Sequence, residues 1–138
     1  MAIPPSHIQV VLEALGSDRR VPARLTFRNT SRAKAFLYKV AACPNGQIKN
    51  NLFVIEGKEG KVRYNGRYYR RAAAKMPEDF IELAPGASFV VTVHLGDVYA
   101  FPPGRASYRA RYEALDPSPP GEDLLEMKSA EIVLDLPD

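Results

Sequence analysis

Apolar and polar side chains alternate in short runs along this chain, and each run is bounded by Gly, Pro, Asn or Asp. In residues 7–14 and 23–29, for example, every second side chain is apolar. Successive residues of a β-strand point to opposite faces of a sheet, so this alternation predicts strands with one buried face. Further strand-like runs follow at residues 35–42, 52–56, 61–64, 80–83, 88–95, 107–114 and 129–136.

The spacing of these runs leaves no room for long helices. Only residues 71–76 (RAAAKM) carry helical propensity, and they are too few for more than a turn of helix. Strands at this spacing predict a sandwich or barrel rather than a parallel sheet covered by helices. We therefore expect an all-β fold, an immunoglobulin-like antiparallel β-sandwich of about seven to nine strands. Its predicted core comprises Val10, Leu12, Leu25, Phe27, Phe36, Tyr38, Val40, Val91, Val93, Tyr108, Tyr112, Ile132 and Leu134.

Turn residues separate the predicted strands. At residues 44–46 (PNG), the Asn-Gly pair supplies the positive φ that a tight turn needs. The sequence GKEG at residues 57–60 joins two runs and predicts a hairpin, and further turns are expected at residues 84–86 (APG) and 102–104 (PPG). Residues 116–123 (DPSPPGED) contain three prolines and cannot join a strand ladder. They predict a stiff exposed loop, either a plain connection or a recognition loop.

The length of 138 residues suits one domain spanning residues 1–138. Hydrophobic residues make up 46% and charged residues 25%, as in ordinary folded proteins. Cys43 is the only cysteine, so neither an intramolecular disulfide nor a Cys-based zinc site can form. No export signal is visible and no run is long enough to span a membrane. The compartment stays open between the cytoplasm and secretion after processing.

The net charge of +3 conceals an asymmetry along the chain. Residues 1–112 contain eighteen Lys and Arg against eight Asp and Glu, whereas residues 113–138 contain one Lys against eight acids. Folding must bring these two parts together, so we expect the acidic part to neutralise some of the basic remainder. This lowers the case for a nucleic-acid binder despite a pI near 9.1.

Few side chains are available for catalysis. His7 and His94 are the only imidazoles, and a metal or general-base site needs two or three convergent groups. Cys43 ends a predicted strand, where a buried structural thiol is favoured over a nucleophile. The triplet at residues 29–31 (NTS) matches an N-glycosylation site, but Asn29 is expected to end a strand and shape a turn. We expect no enzyme, no catalytic or metal-binding residue and no cofactor.

Residues 61–71 (KVRYNGRYYRR) are the strongest local anomaly, because they carry five cations and three tyrosines without an acid. Arg and Tyr are typical of interface hot spots, and the same mixture could neutralise phosphates and stack on bases. The plainer interpretation is a solvated strand edge whose charges prevent aggregation. Within the binding interpretation we favour a protein partner over nucleic acid. The candidate binding residues are Lys61, Arg63, Tyr64, Arg67, Tyr68, Tyr69, Arg70 and Arg71.

Three stretches of the chain together resemble a known family. An Asn-Thr pair closes the run at residues 25–31 (LTFRNTS), a glycine-bounded hairpin follows (GKVRYNG), and the sequence DFIELAPGAS opens a strand that leads to an LGDVY corner. The matching positions are Gly60, Lys61, Tyr64, Gly66, Asp79, Phe80, Leu83, Pro85, Gly86, Ser88, Leu95, Tyr99, Gly104, Tyr108 and Tyr112. This pattern is similar to the N-terminal prodomain of deuterolysin-type (aspzincin, peptidyl-Lys) metalloendopeptidases.

The resemblance implies an immunoglobulin-like domain that assists the folding of a zinc protease and masks it. This chain contains no HExxH sequence, so the protease itself is missing. The resemblance therefore implies a non-catalytic protein-binding module, either an inhibitor or a folding chaperone of a metalloprotease, or an adhesion-like module on the same scaffold. A protease that accepts lysine must carry an acidic specificity site, which an exposed Lys or Arg of the hairpin could fill. Anion or nucleic-acid binding through the basic Tyr/Arg hairpin is the alternative.

Overall fold

The computed structural model describes residues 6–68, 77–116 and 125–138, and these residues form β-strands with three short 3-10 helices. The strands are β1 (Ile8–Ala14), β2 (Pro22–Asn29), β3 (Ala35–Tyr38), β4 (Phe53–Gly57), β5 (Gly60–Lys61), β6 (Phe80–Leu83), β7 (Ser88–His94), β8 (Ala106–Asp116), β9 (Leu125–Lys128) and β10 (Ile132–Leu136). The 3-10 helices are Lys39–Ala42, Pro44–Gly46 and Leu95–Asp97. The expected all-β architecture is confirmed. The predicted helical turn at residues 71–76 lies outside the described residues, as does most of the loop predicted at residues 116–123.

Antiparallel pairing assembles the described strands into two main sheets and one small one. The first sheet has the order β1-β2-β7, and the second has the order β10-β8-β4-β5, with β9 also paired to β8. Strands β3 and β6 form a separate pair. The two main sheets face each other across one continuous cluster of buried side chains, which is a sandwich-like arrangement. The immunoglobulin-like connectivity is a finer expectation that stays a prediction.

Aromatic rings hold the two main sheets together. Phe27 of β2 meets Tyr112 of β8 edge-on, with 5.5 Å between ring centroids, and Phe53 of β4 contacts the same tyrosine at 5.7 Å. The Tyr112 hydroxyl donates a hydrogen bond of 2.7 Å to the carbonyl oxygen of Ala41, which satisfies its buried polar end. Tyr112 therefore lies at the centre of the core and connects both sheets to the 3-10 helix Lys39–Ala42.

A β-bulge interrupts the edge formed by β9 and β10. Glu113 faces Lys128 while Ala110 faces Ile132, so β8 advances three residues where its partner advances four. The bulge at residues 129–131 is closed by Ser129, whose N–H donates to the Tyr112 carbonyl at 3.0 Å and whose Oγ accepts from the Tyr112 N–H at 2.9 Å. This extra residue resets which side chains of the edge point inward.

Most of the predicted core is buried, but the face of β3 is a correction. Leu37 is fully buried, whereas Phe36 and Tyr38 are only half-buried, so the inward face is the opposite of the predicted one. Residues 35–42 were expected to form one strand, yet the strand ends at Tyr38 and the chain turns into a 3-10 helix that buries Val40. In the described part of the chain, β3 pairs with β6 in a small separate sheet. Which side of this sheet points to the core depends on packing against residues distant in sequence, so local alternation cannot predict it. Ile132, the first residue after the bulge, is also half-buried rather than buried.

The predicted turns are confirmed where the structure describes them. At residues 44–46 both Asn45 (φ 59°) and Gly46 (φ 77°) adopt positive φ, and the Gln47 N–H donates to the Pro44 carbonyl at 3.1 Å. A Cβ on Gly46 would lie 2.7 Å from the Thr92 carbonyl oxygen, so this turn packs closely against β7. The hairpin predicted around GKEG is formed by β4 and β5, which pair Gly57 with Gly60.

Asn29 ends β2, as expected, and its side chain makes four hydrogen bonds while fully buried. Its Nδ2 donates to the carbonyl oxygens of Ala33 at 2.8 Å and Leu83 at 3.0 Å. Its Oδ1 accepts from the N–H and the hydroxyl of Ser31 at 2.9 and 2.8 Å. Asn29 thus ties the end of β2 to β6 and to the connection leading into β3.

We expect Asn29→Ala to lower the free energy of unfolding by about 2 to 4 kcal/mol, because it removes four hydrogen bonds of a fully buried side chain, including the donor to the buried Leu83 carbonyl. Urea unfolding followed by circular dichroism measures the change. The control is Arg28→Ala, which alters the exposed neighbour on the same strand and should change stability by less than about 0.5 kcal/mol. Equal stabilities of the two variants would contradict the role given to Asn29.

Candidate partner-binding surface

The first residues of the predicted basic hairpin form an ordered segment, residues 61–68, which we call the basic segment. It leaves β5 and runs antiparallel to residues 98–100, with a β-bridge between Tyr64 and Tyr99. The Asn65 N–H donates to the Val98 carbonyl at 2.7 Å, and the Ala100 N–H donates to the Arg63 carbonyl at 2.9 Å. Backbone hydrogen bonds on both sides of the bridge therefore hold this segment in place.

Exposure alternates along the basic segment. Val62 and Tyr64 are half-buried, while Lys61, Arg63 and Arg67 are exposed. The bridge turns Tyr64 toward the protein, where its ring contacts Tyr99 at 5.2 Å between centroids. The cations consequently point to solvent from a backbone that the inward side chains anchor.

Tyr64 and Tyr68 differ in role, although the sequence placed them in one set. The Tyr64 ring meets the Tyr68 ring edge-on at 5.1 Å, and the Tyr64 hydroxyl donates to the Arg67 carbonyl. Burial, together with the neighbouring Tyr68, raises the pKa of Tyr64. Tyr68 itself is 63% exposed. Tyr64 therefore organises the segment, and Tyr68 presents an aromatic surface to solvent.

Tyr99 packs against the buried side of the basic segment. Its hydroxyl accepts a hydrogen bond of 3.0 Å from the Phe53 N–H and donates one of 2.8 Å to Asn51 Oδ1. Its ring meets Phe53 edge-on at 6.1 Å, and burial raises the pKa of its phenol. The segment is thereby connected to β4 of the second sheet.

The structure brings together five of the predicted binding residues on this one segment: Lys61, Arg63, Tyr64, Arg67 and Tyr68. The other three, Tyr69, Arg70 and Arg71, lie outside the described residues. Lys61, Arg63 and Arg67 form no ion pair with any described residue. These exposed cations without ion pairs are compatible with both interpretations of the segment, the solvated strand edge and the binding surface.

Arginines on other surfaces do lie beside carboxylates. Arg20 binds Asp97 through both side-chain oxygens, with a shortest distance of 2.8 Å, and this hydrogen bond lowers the pKa of the Asp97 carboxyl. Arg24 pairs with Glu13 across β1 and β2 at 3.2 Å. The unpaired cations of the basic segment thus differ from these two arginines, although Arg28 on β2 is likewise exposed and has no ion pair with the described residues.

Two of the clefts that border the basic segment contain its cations. The first, which we call the basic groove, has a volume of about 740 Å³ and lies between residues 57–63 and residues 100–108. Lys61 and Arg63 line it together with Lys58 and Arg105, and Glu59 is its single acid among the described lining residues. Sequence reasoning missed Lys58 and Arg105. Both occupy turns that were recognised, but only the fold brings these distant turns together.

The second cleft, of about 780 Å³, contains Arg67 and Tyr68 with Lys49, His94 and Asp97. His94 thus faces a cleft, but Asp97 there is already bound by Arg20. Among the described residues, no group of three His, Cys, Asp or Glu side chains could hold a metal ion. This cleft therefore presents hydrogen-bonding and aromatic groups to a ligand.

Cys43 is a buried thiol in the described core, as expected from its position. It is fully buried and adopts a left-handed backbone conformation with φ of 52° between two 3-10 helices. Burial raises the pKa of its thiol to about 12. A thiol with this pKa is protonated at neutral pH and is a poor nucleophile.

We expect the Cys43 thiol to contribute stability that is complete below pH 9.0, its ordinary pKa, and lost as the pH rises toward about 12. The sign follows because the unfolded chain releases the thiol proton at a lower pH than the folded chain. The free energy of unfolding, measured against pH, should fall less steeply in Cys43→Ala than in the wild type over this window. Equal slopes, or rapid reaction of the native thiol with Ellman's reagent at about pH 8, would contradict the buried assignment.

The two tyrosines of the basic segment should respond differently to truncation. Tyr64→Ala removes a ring packed between Tyr99 and Tyr68 and should lower the free energy of unfolding by about 1 to 3 kcal/mol. Tyr68→Ala removes an exposed ring and should change it by less than about 1 kcal/mol. Thermal unfolding of both variants tests this, and a Tyr68→Ala variant that is the less stable of the two would refute it.

Comparison with known proteins leaves the family open. No protein-family model matches the chain, and a search of curated proteins finds no significant match. The likeness to deuterolysin-type prodomains therefore stays a prediction. Among the described residues, no helix is both long and apolar enough to cross a membrane.

Proposed function

We propose that this domain is a non-catalytic protein-binding module that engages its partner through the basic segment. The observation that carries the proposal is the set of three cations, Lys61, Arg63 and Arg67, which form no ion pair with the described residues. Arg67 also adjoins the exposed Tyr68 in sequence and shares a cleft with it. Cations that a protein leaves unpaired on an ordered segment are available to carboxylates of another molecule.

Preorganisation supports this proposal. The basic segment is held by backbone hydrogen bonds to Val98 and Ala100 and by the contact between Tyr64 and Tyr99. A partner would therefore meet an ordered surface and would not need to immobilise the backbone on binding. Arg and Tyr side chains on such a surface combine large contact area with hydrogen-bonding tips.

The resemblance to metalloendopeptidase prodomains suggests the partner class. We propose an immunoglobulin-like, prodomain-like domain that binds a metalloprotease and acts as its inhibitor or folding chaperone. An acidic specificity site that accepts lysine would attract the cations of the basic segment, and an exposed side chain such as Arg67 would fill it. Charge would steer the encounter, and Tyr68 would contribute apolar contact.

Nucleic-acid binding is the second candidate, and the four cations of the basic groove favour it. Glu56 and Glu113 on nearby β4 and β8 are paired with Arg111, so the neighbouring sheet surface does not extend the positive charge along which a phosphate backbone would run. Tyr68 is also the only exposed ring of the described basic segment, whereas sequence-tolerant binding of single strands uses several stacking rings. We therefore place protein binding first.

The proposal is tested with a purified deuterolysin-type metalloendopeptidase. We expect the domain to bind and inhibit it, and we expect Arg67→Ala and Tyr68→Ala each to weaken binding by about 1 to 2 kcal/mol with thermal unfolding almost unchanged. Titration calorimetry and inhibition of peptide cleavage provide the measurements. Arg28→Ala, which removes an exposed cation from β2, is the matched control and should bind like the wild type.

Salt separates the two candidates. Affinity for a single-stranded oligonucleotide should fall by orders of magnitude between about 50 and 200 mM salt if phosphates drive binding. Affinity for a protein partner should fall much less steeply. A domain that binds the oligonucleotide tightly at low salt and never binds the protease would replace the first candidate by the second.

A further inference from the structure

We propose that the basic groove binds an extended, carboxylate-rich polypeptide segment of the partner. This inference rests on the proposed function and names the part of the partner that the groove accepts. Four cations line the groove, and they come from the turn after β4, from β5, from the basic segment and from the turn before β8: Lys58, Lys61, Arg63 and Arg105.

The four cations of the groove outnumber the described acids beside them, which are Glu59 in the lining and Asp138 next to Arg105. Lys58, Lys61, Arg63 and Arg105 form no side-chain ion pair with any described residue, and Glu59 is the only acid in the lining. Cations gathered around one concave surface repel each other, and the low-dielectric walls concentrate their field. A bound anion removes this repulsion, so the groove should select negatively charged ligands.

One wall of the groove is preformed. Arg19 donates hydrogen bonds to the carbonyl oxygens of Pro102 at 2.6 Å and Gly104 at 3.3 Å, and it also binds the Pro137 carbonyl at 3.1 Å. These contacts fix the proline-rich turn before β8. The wall needs little ordering when a ligand enters, which favours binding.

The protein already places a carboxylate at this wall. The backbone N–H of Arg105 donates to Oδ1 of Asp138 at 2.9 Å. The side-chain guanidinium of Arg105 forms no ion pair with the described residues and remains able to bind a second carboxylate. A carboxylate is thus chemically compatible with this end of the groove.

The lining favours a peptide over a nucleic acid. Tyr108 is the only aromatic residue among the described lining residues, and it is 6% exposed and packed edge-on against Phe101 at 5.1 Å. It therefore offers no free face on which a base could stack.

The test uses a fluorescein-labelled peptide rich in Glu and Asp, and its counterpart with Gln and Asn at the same positions. Fluorescence anisotropy should show binding of the acidic peptide and none of the neutral one. Lys58→Ala and Arg105→Ala should each weaken binding about fivefold to tenfold, because each removes one charge-assisted contact. Arg28→Ala removes the same charge from an exposed site on β2 and should leave the affinity unchanged.

Three outcomes would overturn the groove assignment. They are unchanged affinity in both Lys58→Ala and Arg105→Ala, equal binding of the neutral peptide, and tighter binding of a single-stranded oligonucleotide than of the acidic peptide in the same buffer. Thermal unfolding of each variant confirms that these exposed substitutions leave the fold intact.

The protease titration separates this inference from the proposed function. If Arg67→Ala and Tyr68→Ala weaken protease binding while Lys58→Ala and Arg105→Ala leave the affinity for the acidic peptide unchanged, only the groove assignment fails. If the groove variants lose the acidic peptide but the wild-type domain never binds the protease, the groove assignment stands and the proposed protease partner fails.

Discussion

Packing between aromatic rings, edge-to-face in four contacts and tilted between Tyr64 and Tyr99, is the interaction on which both the core and the candidate surface depend. Consecutive ring contacts connect the first sheet, the second sheet and the basic segment. The rings follow the order Phe27, Tyr112, Phe53, Tyr99, Tyr64 and Tyr68, with centroid distances between 5.1 and 6.1 Å. Such pairs contribute about 0.5 to 1.5 kcal/mol beyond the area they bury. Because the path ends at a 63% exposed ring, the same packing that stabilises the core also positions the proposed contact residue Tyr68.

Hydroxyl groups make this aromatic path compatible with burial. Tyr112 donates to Ala41, and Tyr99 bonds to Phe53 and Asn51, so neither phenol is left without a partner in the interior. Among the described residues, no buried side-chain nitrogen or oxygen lacks a hydrogen bond. A buried polar group without a hydrogen-bond partner costs about 1 to 3 kcal/mol. The hydrogen bonds of the buried phenols are therefore as important for stability as the packing of their rings.

The uneven charge of the chain is resolved locally. Arg111 of β8 lies beside Glu113 and Glu131 from the acidic part of the chain, and beside Glu56 of β4. The expected neutralisation of basic by acidic residues is therefore seen on this sheet surface, where exposed pairs contribute little to stability. It does not reach the described cations of the basic segment, where the exposed ring of Tyr68 accompanies the unpaired charges, and this combination makes the segment the candidate surface.

The sequence by itself determined the properties that depend on neighbouring residues. Alternation predicted strands such as β1, β2 and β7, and Asn45-Gly46 predicted a tight turn, because side-chain direction and φ are set within a few residues. The composition of residues 61–71, rich in Arg, Lys and Tyr, is also a local property, and it was enough to predict a candidate surface there.

Only the tertiary structure decided the properties that depend on residues distant along the chain. The inward face of Leu37, the bulge at Ser129, the separate roles of Tyr64 and Tyr68, and the meeting of Lys58 with Arg105 each follow from strand pairing and packing. A one-residue change of register reverses every side chain of a strand, and local alternation cannot reveal which register the partner strand imposes. Long-range pairing therefore set the shape and charge of the surface, because only pairing brings distant turns into one groove.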